Sequence, residues 1–113
     1  MKLDRNLEDN EGRGKYAVLL LRKLSDYEAG TFGILPKELV EAIKTLERYE
    51  LIDWGRQGTE SEFFLLRLKD EYALPALEAY AGAIEEHDFE FATEVRELAR
   101  RSGPYSQWCK KPD

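Results

Sequence analysis

LIDWGRQGTESEFFLLRLKD, residues 51–70, decides how the rest of the chain is read. Two apolar runs flank a polar loop that carries Gly55 and Gly58. In the second run Phe63, Phe64, Leu65, Leu66 and Leu68 leave only Arg67 and Lys69 as polar breaks, the pattern of a strand buried on both faces. The shorter run, residues 51–54, reads as its hairpin partner. Upstream, YAVLLLRKL at residues 16–24 repeats the theme of apolar positions followed by basic ones. As a strand it sets Ala17, Leu19 and Leu21 toward one layer and Val18 and Leu20 toward the other. As a helix it groups Tyr16, Leu19, Leu20, Lys23, Leu24 and Tyr27 and leaves Val18 and Leu21 outside. Leucine and alanine favour the helix by propensity. The echo of FFLLRLK favours two neighbouring inner strands of one sheet, and the strand is the reading taken.

The remaining stretches supply helices. Pro36 suits a first helical turn, and Leu39, Ala42, Ile43, Leu46 and Tyr49 then recur at helical spacing opposite Lys37, Glu38, Glu41, Lys44, Glu47 and Arg48. Asp70 can cap a second helix running to about residue 86, with Ala73, Leu77, Tyr80 and Ile84 on its buried stripe. Pro75 either kinks that helix or marks its true start. A third begins at Asp88 as cap and places Phe91, Ala92, Val95, Leu98 and Ala99 on one side, with Gly103 and Pro104 as its stop. SDYEAGTFGIL, residues 25–35, is a connection. The expected fold is α+β in a single domain, 1–113: strand, helix and β-hairpin forming a small sheet covered by helices, with two C-terminal helices. A polar arm (1–14) and a tail (104–113) flank it.

A chain of 113 residues can bury roughly two thirds of the surface it exposes when unfolded, enough for one core. Hydrophobic residues make up 42%, too many for a disordered chain, while the charges interrupt any membrane-length run. The opening MKLDRNLEDNEGRG has no apolar stretch of secretory type, and the single cysteine, Cys109, forms no bridge within the chain, so a cytoplasmic home is expected. Acidic side chains number 23 against 17 basic ones, a net charge of −6 that opposes attraction to a nucleic-acid backbone.

Chemistry-bearing motifs are weak. GRGK at residues 12–15 lacks the glycine and the Ser or Thr of a phosphate loop, having Asp9 and Tyr16 in their places. EEHDFE, residues 85–90, gathers the one histidine, His87, with four carboxylates; adjacent helical positions diverge, so a solvated corner between helices is the simpler reading. Cys109 sits in the tail with nothing to activate it. Two surfaces are candidates for partner binding. Tyr105 and Trp108 lie among Arg100, Arg101, Lys110 and Lys111, a mixture that can hold single-stranded nucleic acid or anchor a protein partner, although Trp108 docking back on its own domain is the commoner arrangement. Trp54, Arg56 and Gln57 occupy the glycine-bearing loop.

The order of a helix, LERYELIDWG, a polar loop and EFFLLRL resembles the recognition helix and wing of winged-helix proteins over residues 36–69. That resemblance implies a DNA-binding regulator. The helix carries Glu38, Glu41, Glu47 and Glu50 against Lys37, Lys44 and Arg48, a balance poorly suited to the major groove. The reading taken is therefore a small acidic, non-enzymatic protein-interaction or regulatory domain, with no cofactor, no metal and no membrane association. Its partner is an unidentified protein, nucleic acid is disfavoured, and homo-oligomerisation is open. A winged-helix-like DNA-binding regulator is the alternative.

Overall fold

Three runs of helical periodicity become helices: α1, Lys37–Arg48; α2, Ala73–Ile84; and α3, Phe89–Ala99, followed by a 3-10 turn at Gly103–Tyr105. They are seen in a computed structural model that describes residues 14–24 and 36–111. Residues 1–13 of the polar arm, the connection at 25–35 and the first half of the GRGK motif lie outside those residues. The chain packs as two compact units, residues 18–64 and a second whose described residues are 14–17 and 65–111.

Small side chains set the geometry of the second unit. Ala73, Ala81, Ala92 and Ala99 are buried and let α2 and α3 approach closely, while Phe91, Val95 and Leu98 fill the space between them. Leu77 and Ile84 pack on this cluster from α2. The buried face of α3 is the one expected, residue for residue. On α2 the stripe is shifted: Tyr80 stays half exposed and meets Phe91 edge to face at 6.2 Å between ring centroids, while Ala81 is buried beside it. Pro75 sits in the first turn of α2, where its missing N–H would have had no helical partner, so it neither kinks nor shortens the helix. Asp70 does not cap α2, which ends at Ile84 and has Tyr72 at its N-cap with no side-chain bond; it shapes the preceding turn instead, accepting from the Tyr72 N–H at 2.7 Å.

Asp88 caps α3 as expected, its Oδ1 accepting from the Phe91 N–H at 3.0 Å. That backbone hydrogen bond favours the charged form and holds the carboxyl below its ordinary value. The sign follows directly: the cap's contribution is complete above the unfolded-state value of about 3.9 and is lost as pH falls through the lowered folded value. Acid titration of the unfolding midpoint checks this. Asp88→Asn is expected to flatten the fall in stability below about pH 4.

The sheet is the part that the structure corrects. Among the described residues there is no strand, sheet or barrel, and the fold is helical rather than α+β. Residues 16–20 are irregular and 21–24 turn helical, with the Lys23 N–H donating to the Leu20 carbonyl at 3.1 Å. Residues 51–56 and 62–67 are irregular too, so the hairpin and the wing are missing from the described residues. A doubly buried strand requires cover on both faces. Here Tyr16, Phe63 and Leu65 are exposed, and Phe64 is 86% exposed. Both segments also straddle a boundary between the compact units, at 17/18 and 64/65, so neither presents an unbroken run to one core. At 21–24 the helix propensity of leucine prevails.

The unit of residues 18–64 holds α1, which has no buried residue. Its expected stripe survives only as half-buried Leu39 and Ile43, while Tyr49 is exposed. The helix closes in a Schellman arrangement: the Leu51 N–H donates to the Leu46 carbonyl at 2.9 Å and the Glu50 N–H to that of Glu47 at 3.0 Å. Glu50 takes the left-handed position, φ 58°, that glycine usually fills.

Candidate functional site

The C-terminal segment, too short to form an element of its own, is shaped by the backbone it lies against. Gly103 donates its N–H to the Leu68 carbonyl at 2.7 Å. At the other end Lys110 donates to the Lys69 carbonyl at 3.0 Å and accepts from the Glu71 N–H at 2.9 Å, making an isolated parallel bridge between Asp70 and Lys110. The loop between these clamps is ordered from within. The N–H groups of Tyr105, Ser106 and Cys109 donate to the carbonyls of Ser102, Gly103 and Ser106 at 3.0, 2.9 and 3.1 Å. The Trp108 N–H donates to Ser106 Oγ at 3.2 Å. Buried Ser102 anchors the entry, its hydroxyl donating to the Ala99 carbonyl at 2.7 Å.

This clamped loop presents its aromatics outward. Tyr105 is 67% and Trp108 69% exposed, so Trp108 does not dock back on its own unit. Cys109 is an exposed free thiol. Beside the loop, Leu74 and Glu78 of α2 and Arg96 and Ala99 of α3, with Arg100 and Tyr105, line an open cavity of about 470 Å³. Arg96 is already engaged, both guanidinium nitrogens lying 3.2 Å from the carboxylate oxygens of Glu85. Tyr105 and Arg100 are the lining residues that the sequence singles out. Leu74 with Glu78, and Arg96 with Arg100, carry a weaker signal as i,i+4 pairs that share a helix face.

The chain matches no family model, and neither the curated proteins nor the solved structures compared with it include a significant match. Geometry alone therefore carries the functional argument.

Trp54, Arg56 and Gln57 belong to the other unit and occupy one locally closed loop. The half-buried Trp54 is tied down, its indole N–H donating to Glu47 Oε2 at 3.2 Å. Gly55, at φ 56°, accepts the Phe63 ring where a side chain would stand, and its N–H donates to Asp53 Oδ1 at 2.9 Å. Arg56 and Gln57 are exposed at the turn, which closes through Thr59 Oγ1 donating to the Arg56 carbonyl at 2.6 Å. The EEHDFE stretch forms the corner between α2 and α3, with the N–H groups of His87 and Asp88 donating to the Ile84 carbonyl. His87 is exposed there, and among the described residues no group of three His, Cys, Asp or Glu is placed to hold a metal.

Proposed function

We propose that this chain is a small non-enzymatic protein-interaction domain whose binding edge is the clamped aromatic loop at residues 103–110. One observation carries the reading: Trp108 stands 69% exposed inside a segment whose two ends are both hydrogen-bonded to residues 68–71. A large ring held outward on an ordered backbone loses little further freedom when a partner covers it, which favours binding. Tyrosine, tryptophan and arginine are the side chains that dominate binding energy at protein interfaces, and Arg100 and Arg101 adjoin this loop. The loop carrying Trp54, Arg56 and Gln57 is a secondary contact, because its tryptophan is already bonded to Glu47.

Affinity capture from the native host with the full chain as bait tests this. The Tyr105→Ala/Trp108→Ala variant is expected to lose its partner while keeping the unfolding midpoint of the parent, because both rings are exposed. Trp54→Ala should weaken capture less. Undiminished capture by the double variant rejects the loop as the binding edge.

A further inference from the structure

The helical hairpin has two ends of opposite character. α2 and α3, of 12 and 11 residues, are joined by the corner at residues 85–88, so the corner and the open end lie about 17 Å apart. At the corner Phe89 is 66% exposed between Asp88 and Glu90, with Glu86 exposed nearby. An apolar ring there wears an acidic collar. At the open end lies the open cavity of about 470 Å³, lined by half-buried Leu74, exposed Tyr105 and buried Ala99 together with Glu78, Arg96 and Arg100. Arg101 follows Arg100 and is exposed. Residues 96–111 hold five cations, Arg96, Arg100, Arg101, Lys110 and Lys111, against one carboxylate, Glu97, in a chain whose net charge is −6.

We infer that the occupant of this cavity is a second copy of the chain. The corner of one copy seats Phe89 against Leu74 and Tyr105 of the next, and brings Glu86 and Glu90 to its Arg100 and Arg101. The inference deepens the interaction reading above and rests on it, naming the partner of the surface beside the aromatic loop. Charge complementarity supports this: the same chain carries a ring flanked by carboxylates and a cavity where Leu74 and Tyr105 stand beside guanidiniums. A single strand of nucleic acid matches the cations and the aromatic planes, but the acidic collar has no role in it. Because corner and cavity are different surfaces, the contact is head to tail, and an open assembly keeps one free corner at one end and one free cavity at the other. Glu78, the one carboxylate in the lining, opposes the incoming collar.

Sedimentation velocity of the purified full chain, over a wide concentration range at low and high salt, tests the assignment. The weight-average mass is expected to rise with concentration and to fall with salt. Arg100→Ala and Phe89→Ala should each weaken association about tenfold or more. Glu78→Gln should strengthen it. Mixing Arg100→Ala with Phe89→Ala leaves one productive contact, the intact corner of the first in the intact cavity of the second. The mixture should therefore form heterodimers and nothing larger. A chain that stays monomeric at every concentration overturns the self-contact, as does association indifferent to both substitutions. Binding of labelled oligothymidylate by a monomeric chain overturns it as well. Trp108-dependent capture of a host protein by a monomeric chain overturns the self-contact alone and leaves the interaction reading standing.

Discussion

Phe91→Ala is expected to destabilise the chain by about 3 kcal/mol or more, the range for deleting a buried aromatic ring. The reason lies in what surrounds it. Among the described residues the buried apolar set is Ala73, Ala81, Phe91, Ala92, Val95, Leu98 and Ala99, so alanines make up most of its members and little of its volume. Phe91 is the largest of these side chains, and it touches both the alanine cluster and the edge of Tyr80. Small neighbours on rigid helices cannot collapse into the space that the ring would vacate, and the aromatic contact, worth about 0.5–1.5 kcal/mol, is lost with it. Against a total of roughly 5–15 kcal/mol for a domain, such a loss is a large fraction. Urea unfolding followed by circular dichroism reads it as a lowered midpoint. A cost under about 1 kcal/mol would mean that the ring does not hold the two helices together.

Gly103→Val is expected to cost about 3 kcal/mol and to release the aromatic loop. Gly103 sits at φ 53°, a region that a β-branched residue enters only under strain. A Cβ there would lie 3.2 Å from both the Glu71 carbonyl oxygen and Leu74 Cβ, and one of these is backbone that cannot swing aside. The same residue donates the 2.7 Å hydrogen bond to Leu68, so relieving the strain by moving the backbone breaks the first clamp. Hydrogen exchange separates the two consequences. The amides of Glu71 and Lys110 should lose protection along with Gly103, because they form the second clamp of the same loop. Unchanged protection at those amides would show that the two clamps act independently.

The buried face and the cap of α3 could be read directly, because Asp88, Phe91, Ala92, Val95, Leu98 and Ala99 encode both in residue type and spacing. Tyr80 was misplaced by the same reasoning, since spacing gives a face but not the depth to which each side chain sinks. Tyr105 and Trp108 were singled out from composition, and their outward presentation depends on hydrogen bonds to residues 68–71, more than thirty positions away. The cavity was invisible for a related reason: its lining comes from three separate segments, each bland alone.

Local rules thus sufficed to locate the three helices, because proline placement and the 3.6-residue period act within one or two turns of chain, whereas of the two expected caps only Asp88 formed. The apolar runs at 16–24 and 51–70 were a different problem. Hydrophobicity states that a segment profits from burial but not which surface will bury it, and a strand exists only when another backbone pairs with it. Here those runs cross the boundaries between two compact units, their large side chains stay mostly exposed, and no strand pairing forms among the described residues, so the pattern found no cover for its two faces.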